Sequence, residues 1–196
     1  MKILTINSAP YTKEFVKPIV KTLIDAGIES ELANYDNIPN DLDRYGGVII
    51  SASPRGDDIV NAHIPYYEWL RNSLKPILGI CHGHQFIGVM HGADLIRDEQ
   101  SEEGKYLVDI KEDNALFSGY NGSFQVEQHH KDSITLPNEF RHLASSTRCK
   151  VQAMIHQEKP IYTTQFHAEK NPEIILNFAE IVRKHIQINK LSKSAP

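Results

Sequence analysis

With 196 residues, the chain is long enough for one sizeable domain and too short for two ordinary ones. Hydrophobic residues at 40% and charged residues at 23% are the proportions of a packed globular protein and exclude a disordered one. The sum of 21 Lys and Arg against 25 Asp and Glu, a net −4, argues against a nucleic-acid-binding surface, which needs a basic excess.

In chain order, Ile3 to Ile6 reads as a buried strand. Phe15, Val16, Ile19, Val20, Leu23 and Ile24 then recur at three and four residues, the apolar face of a helix that Gly27 stops. Ile28 to Ala33 and Gly47 to Ser51 read as strands, and a helix is predicted over Ile64 to Ser73 with Pro65 in its first turn. Tyr66, Tyr67 and Trp69 on it suit helix packing better than a base-stacking platform. Pro76 to Cys81 is another fully apolar strand. Apolar strands separated by helices predict a parallel sheet covered on both faces.

The acidic segment Asp98 to Glu103 lacks apolar periodicity and reads as an exposed loop. Beyond it the chain is richer in β-patterns, with strands predicted over Tyr106 to Lys111, Ser123 to Val126, His142 to Ser145, Val151 to His156 and Ile161 to Phe166. A last amphipathic helix spans about Pro172 to Ile186, its stripe made of Ile174, Ile175, Phe178, Ile181 and Val182. The expectation is a single α/β domain over 1–196, with its core in 2–186, a small antiparallel β addition and a flexible tail over 187–196. No apolar run approaches the roughly 20 residues of a membrane span, and the first seven residues do not read as a secretory signal. Two cysteines, Cys81 and Cys149, are too few for a disulfide framework and suit a reducing, cytoplasmic setting.

The strongest chemical signal is Leu78-Gly79-Ile80-Cys81-His82-Gly83-His84-Gln85. A buried strand ends in a nucleophile-type residue flanked at ±2 by glycines, the spacing of a nucleophile elbow with Cys in place of Ser. Cys81 would stand at a helix amino terminus, where free N–H groups and the helix dipole favour a thiolate and can hold an oxyanion. Two other readings stay open: Cys81 as a small buried hydrophobe, and a zinc site drawing on Cys81, His82, His84 and His91, for which adjacent ligands on one tight turn are ill placed. Cys149, without an elbow, reads as structural. A thiolate needs a base and the base an orienting group. His167 closes the run Ile161 to Phe166, so it should leave a strand near Cys81's edge of the sheet, and Glu169 two residues on can hold its second nitrogen.

Together these segments resemble the class I glutamine amidotransferase family, which carries a Gly-x-Cys-x-Gly-x-Gln elbow and a Gln-Phe-His-x-Glu signature; here they are Gly79 to Gln85 and Gln165 to Glu169. The resemblance covers about Lys2 to Val182. It implies a flavodoxin-like three-layer sandwich, with Cys81 as nucleophile, His167 as general acid/base and Glu169 as its orienting carboxylate. It further implies an oxyanion hole from the backbone N–H groups of Ser53 and His82, and substrate contacts from Gln85, His130 and Asp132. The family's Ser-Gly-Gly-Pro turn is here Ser51-Ala52-Ser53-Pro54, so Ser53 would be strained if the turn demanded a positive φ.

Tyr11-Thr12, the loop His130-Lys131-Asp132, and the stretch from Ala144-Ser145 through Cys149 to Val151-His156 are most similar to free-standing glutaminase subunits of GMP synthases. That likeness implies glutamine as substrate and a separate ATP-pyrophosphatase synthetase as partner, with ATP and magnesium on the partner and no cofactor or metal on this chain. A stand-alone γ-glutamyl peptidase or hydrolase, and a non-catalytic regulatory relative, are the alternative readings.

Overall fold

The computed structural model describes residues 1–194. Its main sheet, among the described residues, has nine strands in the order β2-β1-β3-β4-β11-β10-β9-β6-β7. Strands β1 (Lys2–Asn7), β2 (Glu29–Asn34), β3 (Gly47–Ile50), β4 (Ile77–Ile80) and β11 (Ile161–Thr164) are mutually parallel. The sheet then continues antiparallel through β10 (Ala153–His156), β9 (Phe140–Ser145), β6 (Glu102–Ile110) and β7 (Ser123–His130). The antiparallel part thus extends the same sheet. Beside it, β5 (Leu95–Ile96) and β8 (Ser133–Ile134) form a two-stranded ladder too short to show in the sequence pattern.

Strand alternation sorts the core into two layers. Ile3, Ile49, Leu78 and Ile80 face helices α1 (Val16–Asp25) and α4 (Pro172–Ser194), meeting Ile19, Leu23, Ile174, Phe178 and Val182. Leu4, Ile6, Val48, Ile50 and Ile77 face the other way, onto α3 (His82–Met90) with Phe86, Ile87 and Met90. Each fully buried side chain of this kind contributes about 1.5–3 kcal/mol. Val16, Ile19 and Leu23 hold α1 to the sheet, whereas Ile24, placed on the apolar stripe by periodicity, is 58% exposed. Gly27 stops that helix with φ +70°.

Four segments depart from the sequence reading. The polar stretch α2 (Gly56–His63) is helical, and the predicted helix after it is a 3₁₀ run over Ile64–Asn72. Tyr67 packs within it, stacked on Phe86 at 4.4 Å between ring centroids. The acidic segment is no exposed loop throughout: β6 begins at Glu102, which is buried. The last helix runs on to Ser194, because no glycine or proline interrupts 187–194 even though Ile188 and Leu191 are exposed there. The tail expected over 187–196 is therefore helical as far as Ser194, and residues 195 and 196 lie outside the described residues. No described helix is long and apolar enough to cross a membrane.

Candidate active site

Cys81 sits between β4 and α3 with φ 51° and ψ −99°. Only Asp98 shares a positive φ among the described non-glycine residues, so Ser53 escapes the strain that its replacement of a glycine could have imposed. A side chain held in that region costs about 1–3 kcal/mol, which the surrounding packing must over-determine. The flanking glycines show how. A Cβ on Gly79 would lie 2.8 Å from the Gly83 carbonyl oxygen and 2.7 Å from Ile87 Cδ1, and one on Gly83 3.0 Å from the Ile50 carbonyl oxygen. The bend is fixed at its ends as well: the Cys81 N–H donates to the Thr164 carbonyl at 2.7 Å, and its carbonyl accepts the Gln85 N–H at 3.0 Å. The sulfur thus stands at the strand exits, over the first unpaired N–H groups of α3.

β11 runs parallel beside β4, so the chain leaving it delivers His167 to the same edge. The His167 N–H donates to the Glu127 carbonyl at 3.0 Å, and the Phe15 ring stacks on the imidazole at 5.7 Å. Nδ1 and Glu169 Oε1 are 2.6 Å apart, both side chains almost wholly buried. Nε2 has no nitrogen or oxygen partner among the described residues and interacts with the Cys81 side chain. Burial works against the imidazolium, but the Cys81 sulfur and the Glu169 carboxylate outweigh it and hold His167 well above the usual histidine range.

A cavity of about 610 Å³ opens above the sulfur, lined by Ser53, Cys81, His167, Arg97, His130 and Asp132 among others. The turn carrying Ser53 is braced from β1: the Ser8 N–H donates to Ser51 Oγ at 3.1 Å and the Ser8 hydroxyl to the Ser51 carbonyl at 2.9 Å. The His82 ring is buried and its Nε2 meets His63 Nδ1 at 2.9 Å. Gln85 is fully buried and donates to the Asp132 carbonyl at 3.0 Å. The side chains of His130 and Asp132 line the wall but are engaged inward. His130 pairs with Glu102 at 3.3 Å, while Asp132 holds the Arg97 guanidinium and accepts the Asp98 N–H at 3.2 Å.

Four groups in this region receive no site role from the sequence. Gln165, whose Nε2 donates toward Cys81 Sγ at 3.7 Å, is within sight as the first residue of the Gln-Phe-His signature. Phe15 reads as one more core residue, and Arg97 and Glu102 are hidden at a charged, outwardly solvated segment.

The zinc alternative finds no convergence. His84 hydrogen-bonds Thr163 Oγ1 at 2.7 Å and His91 meets Glu139 at 2.6 Å, so each turns to a partner other than those of the His82–His63 contact. Total burial and the charge of His130 push His84 down to about 3, so it is neutral. Among the described residues, two groups bring possible metal-binding atoms within 4.8 Å, His91-Glu139-His156 and Glu102-His130-Cys149. In the first, His156 Nδ1 accepts the N–H groups of Glu158 and Lys159, both at 3.1 Å, so Nε2 carries the hydrogen and offers no lone pair. In the second, Glu102 already accepts from the Ser146 hydroxyl at Oε1 and from Gln152 Nε2 at Oε2. Burial, aided by the Glu102 charge, pushes Cys149 up to about 12, which suits a structural thiol.

The model of the class-I glutamine amidotransferase family matches residues 11–176. A glutamine-hydrolysing GMP synthase subunit from Pyrococcus furiosus is 34% identical over 183 residues, 86% of this chain and 93% of that one. The same-named protein of Thermoplasma acidophilum is 31% identical over 177 residues, 87% and 88% of the two chains. A crystal structure of a Thermoplasma acidophilum protein described as the corresponding GMP synthase subunit superposes with a TM-score of 0.89 at 28% identity, covering 97% of this chain and 98% of that one. A glutamine amidotransferase from Thermotoga maritima, at 19% identity and a TM-score of 0.73, shares the fold, covering 97% of this chain and 85% of that one.

Proposed function

The chain belongs to the class-I glutamine amidotransferase family, and from that premise we propose that it is the glutaminase subunit of a GMP synthase, releasing ammonia from glutamine for a separate synthetase. The observation that carries this reading is the pairing of a thiol held at φ 51° with the buried His167–Glu169 couple, 2.6 Å apart, at one cavity.

Each step follows from these groups. The Cys81 thiolate attacks the side-chain amide carbon of glutamine, and the negative charge moves to the carbonyl oxygen. The N–H groups of His82 and Ser53 receive that oxyanion, each donor being worth about 3 kcal/mol. His167 passes its Nε2 proton to the amide nitrogen, the C–N bond breaks, ammonia leaves and a γ-glutamyl thioester remains. His167, now neutral, takes a proton from water, whose oxygen attacks the thioester; the C–S bond breaks and glutamate departs. Glu169 keeps the imidazole oriented and stabilises its charged form throughout. Thiolate, imidazole and water suffice for this sequence, so ATP and magnesium belong to the synthetase, which would activate XMP and accept the ammonia.

Labelling with the glutamine analogue 6-diazo-5-oxonorleucine tests the proposal. The adduct is expected on Cys81, suppressed by glutamine, and the chain should support glutamine-dependent amination of XMP when its synthetase is added. Labelling of Cys149 instead, or faster turnover of γ-glutamyl dipeptides than of glutamine, would overturn it.

A further inference from the structure

The carboxylate of Glu102 is 0% exposed beside the cavity, and no step of amide cleavage uses it. Each of its oxygens has partners: the Ser146 hydroxyl donates to Oε1 at 2.5 Å, Gln152 Nε2 donates to Oε2 at 2.5 Å, and His130 Nε2 lies 3.3 Å from Oε2. On the far side of the same ring, His130 Nδ1 lies 3.0 Å from the Asp132 carbonyl. The two ring nitrogens thus lie between the Glu102 carboxyl group and the Asp132 carbonyl, which holds the ring in one orientation.

This pair begins a hydrogen-bonded chain that ends on the nucleophile. The Asp132 carbonyl accepts from His130 Nδ1 and also from Gln85 Nε2, each at 3.0 Å. Gln85 Nε2 is 3.4 Å from Gln165 Oε1, and Gln165 Nε2 points at Cys81 Sγ from 3.7 Å. A primary amide can be turned either way, and every link decides the turn of the next. With the Asp132 carbonyl fixed, Gln85 presents its NH₂ there. Gln165 therefore turns its oxygen to Gln85 and its NH₂ to the sulfur. Resting on the glutaminase reading, we propose that Glu102 is a positioning residue: through His130 and the Asp132 carbonyl it fixes the cavity wall that a bound glutamine meets and, behind that wall, the amide orientations of Gln85 and Gln165 that turn an NH₂ toward the sulfur. A purely structural ion pair would serve packing equally well anywhere in the core; this one terminates at the reacting atom.

The test is the saturation kinetics of Cys81 alkylation in the full chain, using 6-diazo-5-oxonorleucine against iodoacetamide, which lacks the amino-acid end. Glu102→Gln and His130→Gln should each raise the half-saturating concentration of the analogue about tenfold while slowing iodoacetamide at Cys81 by a clearly smaller factor, because only the analogue has an amino-acid end for the cavity wall to hold. Because the two residues act as one unit, the double variant should be no worse than either single one, about tenfold again. Half-saturation within about twofold in both single variants, a parallel fall with both reagents, or additive losses in the double variant would each overturn the proposal. His130→Gln carries the same expectation should Glu102→Gln not fold. A wild-type chain that iodoacetamide labels at Cys81 and the analogue does not would overturn the glutaminase reading, and this inference with it.

Discussion

The two ends of the parallel strands carry cavities of similar size and opposite character. At the strand entries, about 690 Å³ is framed by Lys2, Arg44, Lys75 and His185. Its charges are paired at the surface, Lys2 with Glu31 at 2.6 Å and Lys75 with an Asp43 that is 97% exposed. At the exits, about 610 Å³ stands over Cys81, His167 and Glu169, which are 5%, 5% and 2% exposed. The larger hollow costs the fold almost nothing, since solvated ion pairs contribute about 0–1 kcal/mol. The smaller one holds a strained backbone, a buried imidazole–carboxylate couple and an outward sulfur. Volume does not mark a site; unfavourable features that the packing enforces do.

Substitutions at the two ends probe that contrast, beginning with the largest effect. Cys81→Ala should abolish glutamine hydrolysis by more than about a thousandfold, measured as ammonia released with the synthetase present. Glu169→Gln, which leaves the imidazole in place without its carboxylate, should lower the same rate by about a hundredfold or more. The glycines compare the ends through stability in urea. Gly79→Ala drives a Cβ to 2.8 Å from a backbone carbonyl and should cost about 3 kcal/mol. Gly46→Ala at the entry end meets Ile186 Cδ1 at 2.6 Å, the movable tip of a side chain, and should cost about 1 kcal/mol.

A pH series sharpens the exit-end picture. His84 is depressed to about 3 in the folded chain against 6.5 when exposed, so the unfolded chain binds the extra proton and stability falls as pH drops below 6.5 toward 3. His84→Gln should remove that component, so that the wild type loses about 2 kcal/mol more than the variant between pH 7.5 and 5. At the entry end, Lys75→Ala should leave the glutaminase rate unchanged and stability within about 0.5 kcal/mol. A Lys75→Ala variant with impaired hydrolysis would erase the distinction between the two ends.

Legibility followed the range of the interaction. The elbow could be read because its demands are local: Gly79, Cys81 and Gly83 lie within five positions, and the steric reason for each glycine involves the others. His167 and Glu169 lie two residues apart after an apolar strand, a spacing that suggests a pair but takes its meaning from the family signature around it. Glu102 was not legible. It sits among five polar neighbours in sequence, and its burial depends on His130, Ser146 and Gln152, which lie 28, 44 and 50 positions away. Likewise α2 is polar and has no clear stripe, and β5 and β8 are two residues long, so only pairing reveals them.

The order of apolar and polar residues along the chain was therefore enough to determine most of the alternation of strands and helices and the bend that lifts Cys81, while its two partners were named through the family signature Gln165 to Glu169. Tertiary structure alone decided that β11 lies against β4, which brings residues 86 positions apart to one cavity, and that Glu102, expected in an exposed loop, becomes part of its buried wall. The reason is physical. Backbone sterics and hydrophobic periodicity act over a few residues, whereas burial and hydrogen-bond partnership are properties of whatever the folded chain places alongside.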